Sequence, residues 1–168
     1  RKGETVTFTD VAPYFWFEPN ALYTTNKSEK DQTHYRLSEM YLIAAEAIAQ
    51  SSGVNAEAAG YLATIQARAS MNKTKAEITT ALMALSKDEF IKEVWKEKIR
   101  ELIFENKIWN DITRTKMYPT VKDGVFTFVP LVGATNPWGK TFTEKNLLFP
   151  IPNEEMQRNP KLVQNPGY

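Results

Sequence analysis

The sequence predicts a mainly α chain: a tetratricopeptide-like helix hairpin and a long helix, with short β-strands, long loops and a Pro-rich extended C-terminal tail. Three observations carry this reading. Apolar residues recur at three- and four-residue spacing between positions 37 and 69, twice over, with a Gly-containing break between the stripes. A third, broader stripe runs through positions 91–109. Beyond Leu147 the helical period is gone and prolines stand at 150, 152, 160 and 166, a density that argues against regular helix or sheet.

Taken in order, Glu4-Thr5-Val6-Thr7-Phe8-Thr9 alternates apolar with polar and reads as a short half-buried strand. An aromatic loop follows at 11–20, then a polar surface stretch at 24–32. The first segment is therefore 1–32. The helix hairpin is expected over 33–70. Leu37, Met40, Tyr41, Ala44 and Ile48 share one face of its first helix. Ser51-Ser52-Gly53 ends that helix, and Asn55 is placed to cap the second, whose stripe is Ala58, Leu62, Ile65 and Ala69. Alanines at the crossing resemble the degenerate large-and-small pattern of a tetratricopeptide unit.

The long helix is expected over 86–113. Ile91, Val94, Trp95, Ile99, Leu102, Phe104, Ile108 and Trp109 supply its apolar side. Asp88 with Lys92, Glu93 with Lys96 and Glu97 with Arg100 form intrahelical pairs, each contributing a few tenths of a kcal/mol. In the last segment, 119–168, Asp123-Gly124 signals a tight turn and 125–129 a short strand. The remainder is loop and a tail laid across the helices, anchored in their grooves by Phe149, Ile151, Leu162 and Tyr168.

The composition excludes several function classes. With 21 Lys+Arg against 20 Asp+Glu the formal charge is +1, so the chain carries no electrostatic footprint for nucleic acid. There are no cysteines, which removes disulfides, thiol nucleophiles and thiolate metal sites. No apolar run approaches the roughly 18 residues of a membrane span. The single histidine, His34, has only Asp31 and Glu39 nearby as potential co-ligands, so no metal site is expected, and no cofactor motif is present. No serine lies in a nucleophile-elbow pattern.

One carboxylate pair invites a catalytic reading. Glu39 and Glu46 are seven residues apart on one helix face, about 10 Å along the axis. That lies just outside the window for an inverting glycosidase and far outside a retaining one. Both sit in an apolar helix, where an unpaired carboxylate is costly, and Arg36, Arg68, Arg100 and Arg114 are available as partners. Structural ion pairing is the expectation, and no catalytic residue is assigned.

Three blocks carry a family resemblance. The first is Tyr35-Arg36-Leu37-Ser38-Glu39-Met40-Tyr41-Leu42-Ile43-Ala44-Ala45-Glu46-Ala47. The second is Glu97-Lys98-Ile99-Arg100-Glu101-Leu102-Ile103-Phe104-Glu105 with Trp109-Asn110-Asp111-Ile112 and Arg114. The third joins Phe149-Pro150-Ile151-Pro152 and Glu154-Glu155 to Asn159-Pro160 and the closing Gln164-Asn165-Pro166-Gly167-Tyr168. In this order they resemble the C-terminal portion of the SusD/RagB family, glycan-capturing lipoproteins of the outer surface of Bacteroidetes cells. Asn106 stands where the family commonly has glycine, Ile108 where arginine is common, and Asn110 where an aromatic is common.

The resemblance implies a non-catalytic protein of polysaccharide utilisation and nutrient uptake. It would capture an oligosaccharide at the cell surface and deliver it to a SusC-like TonB-dependent transporter of the outer membrane. Family members are longer, so the membrane would be reached only through an N-terminal lipid anchor absent from this chain. The competing expectation is a helical-repeat protein-interaction scaffold that ignores sugars. Sugars stack on flat aromatic rings flanked by amides and charges. Trp16, with Tyr14 beside it and Asn20 as hydrogen-bond partner, and Trp138 in a second loop are the candidate ligand-binding residues. The alternative reading of the 14–17 aromatic run is a core plug.

Overall fold

In the computed structural model, residues 30, 31 and 33–168 are described. The strand expected at 4–9 and the loop bearing Tyr14, Trp16 and Asn20 lie outside the described residues. The hairpin is α1 (Leu37–Ser52) and α2 (Ala56–Ala69). Gly53, at φ +80°, takes the left-handed turn after α1 that glycine adopts without a Cβ clash. Asn55 caps α2 as its sequence position suggests, accepting from the N–H of Glu57 at 3.0 Å and of Ala58 at 2.9 Å. Tyr41 of α1 stacks on Tyr61 of α2 with ring centroids 5.2 Å apart.

Two further helices complete the bundle: α3 (Lys75–Met83) and α4 (Lys87–Glu101). Each opens on a reciprocal capping box, Thr74 with Glu77 and Ser86 with Glu89. The core is mainly small-residue and aliphatic. Leu42, Ala45 and Ala49 meet Ala58, Ala59, Leu62, Ala63 and Ile65, and α3 and α4 close over them with Ile78, Leu82, Phe90, Ile91 and Val94.

The buried face of α1 is rotated from the predicted apolar stripe, of which Tyr41 and Ile48 still pack half-buried against the core. Ser38, Leu42, Ala45, Glu46 and Ala49 turn inward, while Leu37 is 64% and Met40 41% exposed. The helix has apolar residues on two sides. The alanine-rich side wins this core because short side chains let helix backbones approach closely.

The long helix of 86–113 is also interrupted. A turn follows Leu102, and α5 (Ile108–Thr115) starts afresh. Phe104 and Asn106 lie in the left-handed region at φ +68° and +58°, a conformation that costs a non-glycine residue on the order of 1–3 kcal/mol. Asparagine tolerates it better than most, which accounts for Asn106 at a position where glycine is favoured.

After α5, β1 (Met117–Lys122) pairs antiparallel with β2 (Val125–Pro130). Asp123 and Gly124, at φ +51° and +77°, make the two-residue turn expected of an Asp-Gly pair. Pro119 opposes Phe128 without loss of the ribbon, because in two strands every strand is an edge. The ribbon packs on α4 through Phe128, whose ring meets Trp95 edge-on at 5.5 Å, and Phe126, which lies under the Arg100 guanidinium at 5.6 Å.

The tail departs from expectation twice. It contains a short helix, α6 (Asn153–Arg158), beginning directly after Pro152. And it closes on itself through side-chain-to-backbone hydrogen bonds, meeting α5 through Phe149. Gln164 accepts from the Ile151 N–H at 2.8 Å and donates to the Ile151 carbonyl at 2.9 Å. Asn165 donates to the Phe149 carbonyl at 2.7 Å, and the Tyr168 hydroxyl to the Leu148 carbonyl at 3.0 Å. Phe149 and Tyr168, expected as groove anchors, are exposed. Among the described residues no helix is long and apolar enough to cross a membrane.

Candidate functional site

Of the four candidate ligand-binding residues, Trp138 falls within the described residues. Its loop is tightly built: the Asn136 side chain accepts from the N–H groups of Trp138 at 3.1 Å and Lys140 at 2.9 Å, and Thr135 bridges to Thr141. The indole on this braced turn is 83% exposed. Asn136 spends its side-chain oxygen on the turn.

The Glu39–Glu46 pair is resolved in favour of ion pairing. Glu46 is buried, and each of its oxygens receives two donors. Oε1 accepts from the Trp95 indole N–H at 3.0 Å and an Arg114 guanidinium N–H at 2.8 Å. Oε2 accepts from Lys98 Nζ and the second Arg114 nitrogen, both at 3.0 Å. Those four bonds use the acceptor capacity of a carboxylate. Asp111 completes the network at 3.2 Å from Lys98 and 2.7 Å from Arg114. The cluster thus ties α1, α4 and α5 together.

Burial is the largest single influence on Glu46 and opposes its charge. The hydrogen bonds from Arg114 and Trp95 and the Lys98 ammonium outweigh it and hold the carboxyl below its ordinary value. The Arg114 guanidinium is raised in turn, chiefly by its bond to Glu46. Glu39 is a separate case. Lys107 Nζ lies 3.2 Å from its Oε2, a charge contact outside hydrogen-bond geometry.

Arg114 was among the partners the sequence offered; Lys98, Lys107 and Trp95 were not. Lys98 is 52 residues from Glu46 in sequence, and helical periodicity carries no information on contacts between helices. Elsewhere, Glu93–Lys96 and Glu97–Arg100 form as expected within α4, and Arg68 of α2 reaches across to Glu101. Among the described residues no cluster of His, Cys, Asp or Glu is arranged to hold a metal ion.

A third feature was not anticipated as a site. An open cleft of about 470 Å³ lies at the start of α5, lined by Phe104, Asn106, Ile108, Trp109, Asn110 and Phe149. Trp109, half-buried, is tilted against Phe149 at 6.4 Å and Phe142 at 6.0 Å, and Phe142 meets Tyr118 at 5.1 Å.

Comparison with known proteins agrees with the resemblance read from the three blocks. The chain matches the SusD family over residues 5–168. It is 31% identical over 147 residues to SusD-like protein P2 of Formosa agariphila, an alignment covering 85% of this chain and 28% of that protein. A crystal structure of a SusD superfamily protein from Parabacteroides distasonis is similar at 35% identity and a TM-score of 0.67, over 80% of this chain and 26% of the other. The chain therefore spans little more than a quarter of the length of these relatives. Its helices, its short β-ribbon and its sequence agree: the chain belongs to the SusD family.

Proposed function

We propose that this chain is part of a protein that captures oligosaccharides at the cell surface, without cleaving them, and passes them to a SusC-like TonB-dependent transporter. The match to the SusD family over residues 5–168 carries this reading, since glycan binding and cell-surface lipoprotein character are typical of that family. The geometry takes the one candidate carboxylate pair out of a glycosidase reading at Glu46. A glycosidase needs a carboxyl free to give or take a proton, and Glu46 is saturated by four donors. Trp138 is the platform we assign within the described residues, because its turn is fixed before ligand arrives and little ordering entropy would be lost. Trp16, Tyr14 and Asn20 remain part of the proposal on sequence grounds.

Calorimetric titration of the whole protein with a panel of neutral oligosaccharides tests this. Saturable binding with no release of new reducing ends is expected, and Trp138→Ala should weaken it about tenfold at unchanged stability, as loss of one aromatic contact would. Accumulation of reducing ends would contradict the non-catalytic reading. A second reading, a protein-interaction scaffold, is favoured by one observation: Met40 and Ile43 of α1 are 41% and 45% exposed on the side away from the core. A stable protein partner combined with blank glycan titrations would select it.

A further inference from the structure

The cleft at the start of α5 has the composition of a sugar subsite. Its volume of about 470 Å³ falls within the range of small-molecule sites, roughly 300–1,000 Å³. Phe149 contributes a ring that is 72% exposed, and Phe104 one that is 53% exposed, on opposite chain segments. Both line the cleft together with the half-buried Trp109, against which Phe149 is tilted.

The polar complement is also in place. Asn106 and Asn110 line the same cleft and are exposed, and their side-chain amides make no hydrogen bond among the described residues. Each amide offers both a donor and an acceptor, which matches the dual character of a hydroxyl. The side chains lining the cleft carry no charge, so an acidic or basic ligand finds no counter-ion there. The backbone adds an independent sign. Phe104 and Asn106 are both left-handed, a strained arrangement that brings a ring and an amide to one opening. Held between aromatic faces and two amides, a neutral pyranose presents apolar C–H faces to the rings and equatorial hydroxyls to the amides.

We infer that the cleft of Phe104, Asn106, Trp109, Asn110 and Phe149 is a binding subsite for a neutral sugar ring of the captured glycan, separate from the Trp138 loop. This inference rests on the glycan-capture reading and adds a location to it.

The test uses the whole protein and a panel of neutral hexasaccharides built from glucose, mannose, xylose or galactose. Two variants address the cleft. Phe149→Ala removes an exposed ring. Asn106→Gly removes an amide while keeping, and relaxing, the left-handed backbone, so it should fold at least as well as the parent. For the best-bound hexasaccharide, each is expected to weaken affinity at least about fivefold with an unlowered melting temperature. If Phe149→Ala lowers the melting temperature, Asn106→Gly decides alone. Parent-like affinity in Asn106→Gly overturns the subsite but leaves glycan capture standing. Failure of the parent protein to bind any of the four hexasaccharides overturns both.

Discussion

The helical half and the C-terminal half of this chain are held together by different physics. In α1–α4 the core is mainly small and aliphatic around Phe90, with seven residues of α1 and α2 (Leu42, Ala45, Ala49, Ala58, Ala59, Leu62 and Ala63) fully excluded from water. From α5 onward, Leu131 is the one described residue classed as buried, and the segment relies on ring contacts and side-chain-to-backbone hydrogen bonds. Burial is non-directional and tolerates drift in sequence as long as periodicity is kept. Hydrogen bonds such as those of Gln164 are directional and fix particular residue types. The helical half is therefore where periodicity predicts well, and the C-terminal half is where short motifs such as Gln164-Asn165-Pro166-Gly167-Tyr168 carry the information.

Mutations in the two halves should separate these mechanisms. Leu62→Ala, at a fully buried site, should destabilise by about 3 kcal/mol in urea unfolding, since it opens a cavity that the neighbouring alanines cannot fill. A cost below about 1 kcal/mol would mean the helical core is loosely packed. Gln164→Ala leaves the Ile151 N–H and carbonyl without their partner and should cost about 1–2 kcal/mol. Amide exchange at Ile151 should accelerate in that variant, and exchange in α2 should not. Asn55→Ala should cost about 1 kcal/mol through loss of the α2 cap. Restoration by Asn55→Asp or Asn55→Ser would show that the cap, not packing, is responsible.

The same division explains what the sequence disclosed. The hairpin, the Asn55 cap and the Asp123-Gly124 turn follow from local rules, and the pairing of Glu46 with an arginine from the cost of leaving a carboxylate unpaired in an apolar helix. The inward face of α1 did not, because two apolar sides of one helix are equivalent until a neighbour is chosen. Helix α3 was not foreseen, although Thr74-Lys75-Ala76-Glu77 carries a capping box, because the apolar run after it is too short to stand out. The break after Leu102 was hidden because Phe104, Ile108 and Trp109 continue the apolar stripe through a turn. In the site, Trp138 was named from the sequence as a candidate platform, and its turn leaves it exposed. The cleft was not: it joins Asn106 and Asn110 to Phe149, and only the folded tail brings that phenylalanine to α5.

The central claim is that the buried carboxylate cluster serves structure and leaves glycan capture to surfaces elsewhere. Glu46 lies below its ordinary value in the folded chain, so its contribution is fully present above the unfolded value near 4.5 and is lost as pH falls through the folded value. Glu46→Gln keeps the shape and removes the charge. Unfolding at about pH 7 and glycan titration on the same preparation of whole protein test the claim most directly. The account predicts a loss of about 3 kcal/mol, a deficit that narrows as pH falls below 4.5, and parent-like glycan affinity in the folded variant. Full stability together with lost affinity would contradict it, and would move Glu46 into the ligand site.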